Sequence, residues 1–476
     1  MILLKKKFLL KCFKTLFLLL GFLIFSFDST AQRPNIVLIL ADDLGYGDLG
    51  VFGNQIIKTP HLDKMASEGM KLNQFYAGST VCTPSRNALM TGQHGGHIYL
   101  RGNSENALRT QDSTFAEKLR ANGYQTALFG KWGIGDINTE GEPYKKGWDT
   151  FYGLLHNVEA HFQFPNIAWK STPNSPQLQR VLAQGKEGFG CNFIMDRAME
   201  WLENQGNKDP FFAFISLPIP HAELMPPNSA LSTYTKPNGE SIFEEKPYKG
   251  SHYGSQSMPK AAYAALVSQL DTYVGRVLTF LKEKGLDKNT LVIFTSDNGT
   301  HIEGGRTAAD VAWMQSSGKL KGNKRDLFEG GIRVPTILWG NGVSRNSVNP
   351  TIGAFYDLYP TFLELAKIKS TSKKDGISQV PFWFNQQMAP ERPMYWEFHE
   401  SGFSQAVRWG KWKYIMQKDN LGKEVEYLFN LEADLGETQN LSTKEASKLV
   451  QMRNQAKSMH QKSLIDDFKL KEEKGK

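Results

Sequence analysis

Cysteine is scarce in this chain of 476 residues, which holds only three. Apolar runs long enough to span a bilayer are missing after residue 31, and the sequence has no internal repeat. Charged residues make up 22% and aromatic residues 12%, which are ordinary values for a globular protein. These features exclude a multi-span membrane protein, a collagen, a coiled coil and a disordered chain as the main architecture.

A strong excess of charge of either sign is also missing. The formal net charge is +8, and the first 31 residues contribute five lysines against one aspartate. The remaining chain therefore carries a small excess of four positive charges. Such a mild excess does not predict a nucleic-acid partner and fits an anionic substrate slightly better.

The first 31 residues have the pattern of a secretory signal peptide. Lys5–Lys7 are basic, residues 16–27 are almost entirely apolar, and Ser29-Thr30-Ala31 supplies small residues before a predicted cleavage after Ala31. We therefore expect a periplasmic or secreted protein without stable membrane association, the alternative being an uncleaved anchor. No cysteine lies at the cleavage point, which argues against a lipoprotein. In the chain after the signal peptide, Cys82 and Cys191 could form a disulfide, and the sequence does not decide whether they do.

Short apolar runs alternate with helical patterns over the first three quarters of the chain. The runs are typical of strands buried on both faces and span 35–40, 125–129, 211–217 and 291–295. The helical patterns cover 114–122, 192–203 and 261–284. This alternation predicts an α/β fold with a large, mostly parallel sheet flanked by helices.

The last quarter of the chain has a different pattern. Short segments in which apolar and polar residues alternate are followed by a basic helical pattern at 444–457. This pattern predicts a smaller C-terminal antiparallel sheet plus a helix. We expect a catalytic domain at 32–385 and a C-terminal α+β subdomain at 386–476. Residues 136–190 and 225–260 are expected to form loops that determine specificity.

Polar residues stand where four of the predicted strands end. Asp42 and Asp43 follow the first strand, Asp297 and Asn298 follow the last, and Lys131 and His221 follow the two between them. Ligands of parallel sheets bind at the carboxyl ends of strands, so we expect these side chains to converge.

The carboxylates and the amide among them suggest a metal site. Three carboxylates with one amide oxygen form a hard ligand set that favours Ca²⁺ or Mg²⁺ over Zn²⁺. Taken singly, each pair has a simpler alternative, because Asp and Asn are also common in turns and helix caps.

The segment 82–92 reads CTPSRNALMTG and is the most specific signal in the chain. Its Cys-x-Pro-Ser-Arg core, followed by Leu-Met-Thr-Gly, resembles the type I sulfatase family, formylglycine-dependent enzymes of the alkaline-phosphatase-like superfamily. Further segments are similar to that family in the family's order: PNIVLILADDLGYGD at 34–48, GKW at 130–132, PH at 220–221, SDNG at 296–299, GNKRDLFEGGIRVP at 322–335 and LFNLEADLGETQNL at 428–441.

The resemblance implies that a maturation enzyme that generates formylglycine oxidises Cys82, which then hydrates to a geminal diol. It also implies one metal ion, usually Ca²⁺, whose ligands would be Asp42, Asp43, Cys82, Asp297 and Asn298. By the same resemblance, Arg86 would hold the diol, Lys131 and Lys324 would contact the sulfate, and His221 would face the leaving group.

These residue types suit the hydrolysis of a sulfate ester. Cations offset the negative charge that repels a nucleophile, while one diol oxygen attacks sulfur in line. His221 is the candidate general acid for the departing alkoxide. The second hydroxyl then loses its proton and expels sulfate, a step that a plain serine or cysteine could not perform.

One position departs from the family pattern. Many members have a histidine two residues after the lysine of the GKW segment, whereas this chain has Gly133. His161 and His301 are candidates to act near the substrate in its place.

We therefore expect an exported sulfatase that acts on sulfated polysaccharide or oligosaccharide. A phosphodiester or phosphonate monoester hydrolase, or a phosphatase, on the same scaffold is the first alternative. A non-catalytic protein that binds sulfated glycans is the second. No nucleic-acid partner is expected.

Overall fold

The structure, a computed structural model, describes residues 33–183, 185–206, 209–369 and 372–474. The predicted signal peptide at 1–31 lies outside the described residues. In this part of the chain, no helix combines the length and hydrophobicity that crossing a membrane requires.

The strands fall in three sheets. In chain order they are β1 (Asn35–Asp42), β2 (Met70–Leu72), β3 (Phe75–Tyr76), β4 (Gln125–Lys131), β5 (Thr150–Leu154), β6 (Ile167–Thr172), β7 (Ser175–Leu182), β8 (Phe211–Pro220), β9 (Thr290–Ser296), β10 (Ile337–Gly340), β11 (Ser347–Asn349), β12 (Gly353–Ala354), β13 (Pro393–Phe398), β14 (Phe403–Trp409), β15 (Trp412–Lys418) and β16 (Glu424–Asn430).

The helices surround these sheets. In chain order they are α1 (Pro60–Ser67), α2 (Cys82–Thr91), α3 (Phe115–Ala121), α4 (Gly190–Glu203), α5 (Asn228–Leu231), α6 (Pro259–Glu283), α7 (Ala308–Trp313), α8 (Glu329–Ile332), α9 (Phe355–Leu365), α10 (Val380–Phe384) and α11 (Ala446–Met459).

The main sheet has the order β11-β2-β10-β9-β1-β8-β4-β5-β6-β7 within the described ranges. Its five central strands, from β9 to β5, are parallel. Four of them contain the apolar runs of the sequence, as expected for strands covered on both faces. The outer pairs are antiparallel apart from β11 with β2. The predicted fold class is confirmed, with a mixed rather than purely parallel periphery.

Successive side chains of β1 enter two different hydrophobic cores. Val37 and Ile39 pack in the core that includes α6, whereas Ile36 and Leu38 pack in the core that includes α9. This alternation follows from the two-residue period of a strand. The central strand is therefore buried from both sides, and its carboxyl end is held rigidly.

The segment 136–190, expected to be a loop, contains β5 and the β6–β7 hairpin. The expectation is wrong here because β7 has a mostly exposed, polar sequence without an apolar run. The segment 225–260 is irregular apart from α5 and one short 3-10 helix, as expected.

The C-terminal sheet joins β13 to β16 in antiparallel order and packs against α11. Buried Lys413 on β15 ties this sheet to α8, because its Nζ lies 2.9 Å from Glu329, and it also lies 3.0 Å from Glu437. The predicted small sheet with a helix is confirmed. The boundary between 385 and 386 stays a prediction.

Candidate active site

The carboxyl ends of four parallel strands bring the predicted polar groups together. Asp42 ends β1, Lys131 ends β4, His221 follows β8, and Asp297 follows β9. All four residues are at most 1% exposed. The site therefore lies below the surface of the sheet edge, where charges interact strongly.

Asp43 adopts a left-handed backbone conformation, with φ at 65°, directly after β1. This turn keeps Asp43 as well as Asp42 fully buried. The Asp43 N–H donates to Asp297 Oδ1 at 3.1 Å, and Asn298 Nδ2 donates to Asp43 Oδ1 at 2.6 Å. The ends of β1 and β9 are thus bonded to each other through the predicted metal ligands.

Helix α2 brings Cys82 to the same place. Cys82 is the first residue of the helix, and its Sγ donates to Asp42 Oδ1 at 3.3 Å. Cys82 and Cys191 are both buried and free, so a disulfide between them is excluded. The N-terminal end of a helix carries partial positive charge, which favours an anion beside residue 82.

Arg86 lies one turn further along α2 and is 1% exposed. Its Nε and one terminal nitrogen donate to Asp297 Oδ2 at 3.1 and 2.8 Å, while the other terminal nitrogen reaches Ser216 Oγ and the Lys131 carbonyl. The guanidinium thus fixes Asp297 and the end of β4. It contacts these groups and lies 3.9 Å from Asp42 Oδ2, while the resemblance would place it on the side chain at 82.

Two lysines complete a set of three buried ion pairs. Lys131 Nζ lies 2.6 Å from Asp42 Oδ2, and Lys324 Nζ lies 2.8 Å from Asp43 Oδ2. With Arg86 on Asp297, three cations balance three carboxylates. A divalent cation added to this balanced set would leave an excess of positive charge, which suits a bound anion.

The carboxylates differ in how easily they hold a proton. Burial and the neighbouring Asp42 raise the pKa of Asp297 to about 7. Burial would also raise the pKa of Asp42, but Lys131 and Arg86 outweigh it and hold that pKa well below its usual value. Burial and the Asp42 charge raise the pKa of the Cys82 thiol well above its usual value.

His221 lies between two charged groups. Its Nε2 accepts from Lys324 Nζ at 2.9 Å and lies 3.3 Å from Asp43 Oδ2. Its Nδ1 contacts the Ala222 carbonyl. Burial and the Lys324 charge lower the pKa of His221 well below its usual value, so this ring is neutral here.

Two further histidines surround His221. The His161 ring stacks on it with centroids 4.2 Å apart, and in the described part of the chain its buried Nδ1 has no hydrogen-bond partner. The His301 ring is 5.8 Å away, but its nitrogens bond the Pro220 carbonyl and the Glu303 N–H. His161 is thus available to a ligand, whereas His301 supports the neighbouring backbone.

A steric contact explains why glycine stands at position 133, where the chain departs from the family pattern. Gly133 has φ at 78°, and a Cβ there would lie 2.6 Å from Asn157 Oδ1. Asn157 fills this space and donates to Thr83 Oγ1 beside Cys82. A histidine at 133 would need both a strained backbone and the volume that Asn157 occupies.

Gly133→Ala is therefore expected to destabilise the protein by about 2 kcal/mol, since a Cβ adds left-handed strain and the contact with Asn157. Thermal unfolding would measure this cost. The double variant Gly133→Ala/Asn157→Ala relieves only the contact and should recover part of the loss. An unchanged melting temperature for Gly133→Ala would contradict this account.

The chemistry of the donor set fits a hard cation. Asn298 Oδ1 is buried and accepts no hydrogen bond from any described residue. An orphaned amide oxygen beside three carboxylates is the kind of ligand that Ca²⁺ takes. Ligand atoms of Asp42, Asp43, Cys82 and His221 also lie within 4.8 Å of one another.

The sequence did not single out three residues at this site. Ser216 lies inside the apolar strand β8, Glu303 lies five residues after Asn298, and Tyr253 lies in the irregular segment 225–260. Only Glu303 had a sequence signal, since it is an acidic residue close behind the Asp297-Asn298 pair.

Comparisons with known proteins point to one family. Residues 34–368 match the family model described as Sulfatase. N-acetylgalactosamine-6-sulfatase of Mus musculus is 30% identical over 416 residues, which cover 80% of this chain and 72% of the relative. Steryl-sulfatase of Homo sapiens is 29% identical over 469 residues, which cover 84% of this chain and 78% of the relative.

Solved structures share the architecture. Ps i-CgsB in complex with k-i-k-neocarrahexaose has a TM-score of 0.74 and 27% identity, covering 90% of this chain and 93% of that chain. The phosphonate monoester hydrolase of Agrobacterium radiobacter has a TM-score of 0.65 and 20% identity, covering 90% and 95%, and shares the fold.

Proposed function

The chain belongs to the sulfatase family and is a sulfuric ester hydrolase, and from this premise we propose an exported, Ca²⁺-dependent enzyme with formylglycine at position 82. One observation carries the proposal. The Cys82 side chain lies 3.3 Å from Asp42, inside a buried set of three carboxylates and three cations. A reactive group at this position would face both a metal ion and an anion site.

The residues that would hold the metal ion are Asp42, Asp43, Asp297, Asn298 and the modified side chain at 82. When bound, Ca²⁺ would offset the negative charge of the ester and lower the pKa of a coordinated hydroxyl. Arg86 would keep Asp297 ionised and oriented, since it donates two hydrogen bonds to Oδ2.

The modified side chain would supply a geminal diol as nucleophile, which the oxidation of Cys82 followed by hydration provides. Its position at the start of α2 adds the partial positive charge of the helix end to the anion site. Lys131 and Lys324 would donate hydrogen bonds to the sulfate oxygens, because their Nζ atoms flank the two aspartates that follow β1. Fixed cations of this kind stabilise charge that develops in the transition state.

We assign His221 as the group that protonates the leaving oxygen through Nε2. In the neutral ring Nε2 carries no proton, because it accepts from Lys324 Nζ at 2.9 Å while Nδ1 contacts the Ala222 carbonyl. Once substrate is bound, Lys324 Nζ would turn toward the sulfate, and the negative charge of the ester would favour protonation of Nε2 from solvent. That proton would then pass to the leaving oxygen. His161, which stacks on the His221 ring, is proposed to contact the substrate. His301 is proposed to support the backbone of Pro220.

His221→Ala is expected to slow hydrolysis of esters with poor leaving groups by about 10²-fold to 10⁴-fold, because a general acid contributes about that much. Esters with good leaving groups need little protonation and should be slowed much less. A series of aryl sulfates with graded leaving-group pKa would measure this as a steeper dependence of kcat/KM. His61→Ala is the matched control, because His61 is an exposed residue of α1. Equal slowing across the series would refute the acid assignment.

Carbohydrate sulfates are the proposed substrate class. Similar proteins bear the name N-acetylgalactosamine-6-sulfatase, and Ps i-CgsB was solved with k-i-k-neocarrahexaose. Export, which the segment 1–31 predicts, would place the enzyme where sulfated polysaccharide fragments are met. Sulfate release from a panel of sulfated saccharides tests this class directly.

The two alternatives have weaker support. Phosphate esters are nearly isosteric with sulfate esters, and a side-by-side assay on matched esters would separate the two reactions. A non-catalytic glycan-binding role rested on the missing histidine at 133. The steric role of Gly133 and Asn157 gives that absence another reason. Glycan binding without sulfate release would favour this alternative.

A further inference from the structure

A cavity of about 450 Å³ lies next to the buried site. Its lining comes from two segments, 246–253 before α6 and 302–307 after β9. This volume falls within the range of small-molecule sites in proteins. The cavity shares Glu303 and Tyr253 with the surroundings of His221, so it is the space that adjoins the proposed general acid.

Glu303 forms the wall between the cavity and the buried site. Its Oε2 lies 3.4 Å from Lys324 Nζ and 3.8 Å from His221 Nε2. Tyr253 donates its hydroxyl to the same oxygen at 3.1 Å. An oxygen that leaves sulfur on the His221 side would therefore emerge beside Glu303 and Tyr253.

The Glu303 carboxylate is held in place from a second direction. Arg325 contacts its Oε1 and lies 3.0 Å from Glu400 in the loop after β13. Burial would raise the pKa of Glu303, but Lys324 and Arg325 outweigh it and hold the pKa well below its usual value. This carboxylate is ionised and accepts hydrogen bonds only.

Tyr253 is a half-buried ring at the mouth of the site. Its centroid lies 6.3 Å from the His221 ring and 6.0 Å from the His161 ring, edge-on to both. Gly254, the next residue, donates its N–H to Glu223 at 3.1 Å, and Glu223 itself bonds the His161 carbonyl. These bonds tie the cavity wall to the end of β8.

We propose that this cavity is the subsite for the alcohol part of the substrate, a sugar ring whose hydroxyls donate to Glu303 and to the Tyr253 oxygen. The assignment rests on the proposed sulfatase function. The hydroxyls of a sugar ring are hydrogen-bond donors, and an ionised carboxylate can accept further hydrogen bonds from them. A second acidic group next to the ester would meet the Glu303 charge, so the subsite selects sugars that are neutral beside the ester.

Glu303→Gln tests the subsite, with kcat and KM measured for two kinds of ester. The saccharide probes are galactose and N-acetylgalactosamine sulfated at O4 or O6, and the probe without hydroxyls is 4-nitrophenyl sulfate. The expected result is a loss of about 10-fold to 100-fold in kcat/KM for the saccharides, mainly through KM. For the aryl ester the loss should be clearly smaller, because it makes no hydrogen bond to Glu303 and is affected only through the contacts of Glu303 with Lys324 and His221.

Tyr253→Phe keeps the ring and removes the hydroxyl, and it should show the same selectivity with a smaller loss. Glu400→Gln is the matched control, because it also contacts Arg325 but does not line the cavity. It should leave both kinds of ester unchanged. Melting temperatures show whether each variant is folded.

Equal losses for saccharides and the aryl ester in Glu303→Gln would overturn the subsite. The same conclusion would follow if the wild-type enzyme hydrolysed the aryl ester but none of the saccharides. A wild-type enzyme that hydrolyses neither kind of ester would instead overturn the sulfatase function itself.

Discussion

Cys82→Ala is expected to lower sulfate release by about 10⁴-fold or more, to the level of the uncatalysed background. The change removes the side chain that would become the nucleophile, and losing a covalent nucleophile has effects of about this size. The neighbouring groups stay in place, because Asp42 keeps its contact with Lys131. The variant should therefore still fold and bind sulfated ligands while releasing no sulfate.

Cys191→Ala is the matched control, since Cys191 is the other buried, free cysteine and lies on α4 outside the site. It should retain sulfate release. Mass spectrometry of the peptide that contains residue 82 should find the lighter aldehyde form in active wild-type protein. An unmodified thiol at 82 in fully active enzyme would refute the formylglycine proposal, as would a Cys82→Ala variant with wild-type turnover.

Removal of divalent cations is expected to have the second large effect. Exhaustive chelation should lower sulfate release by about 10³-fold or more, since the electrostatic stabilisation of the transition state would be lost. Calcium at about 100 times its Kd should stabilise the folded protein by about 2.7 kcal/mol. Thermal unfolding and titration calorimetry measure this binding without any substrate.

Asn298→Ala distinguishes a specific ion from a general effect of salt. It removes the amide oxygen that accepts no hydrogen bond from the described residues and keeps all three ion pairs. Calcium should stabilise this variant less than wild type. Asp196→Asn, on the exposed side of α4, should behave like wild type. Full activity after chelation, with no thermal shift on adding calcium, would refute the metal site.

Much of the site could be predicted because its residues follow buried parallel strands. The apolar runs indicated the strands, and the carboxyl ends of neighbouring parallel strands meet at one edge. The sequence alone therefore predicts that Asp42, Lys131, His221 and Asp297 lie together. The Cys82 segment added the helix that enters the same edge.

The remaining features depend on contacts that no local pattern contains. In the β6–β7 hairpin, β7 is polar and half of its residues are exposed, so periodicity gave it no apolar run to detect. Tyr253 reaches the site only because Glu223 and Glu303 bond its loop to distant strand ends. The hydrogen bond between Arg86 and Asp297 could not be predicted from the sequence either, because the two residues are more than 200 positions apart in the chain.

The close approach of Gly133 and Asn157 makes these two positions an epistatic pair. A lineage that placed a histidine at 133 while keeping Asn157 would crowd the Asn157 side chain and destabilise the protein. Loss of the Asn157 side chain would have to come first and open the space, and only then could a larger residue enter. Ancestral reconstruction along this branch should therefore find position 157 changing before or together with position 133.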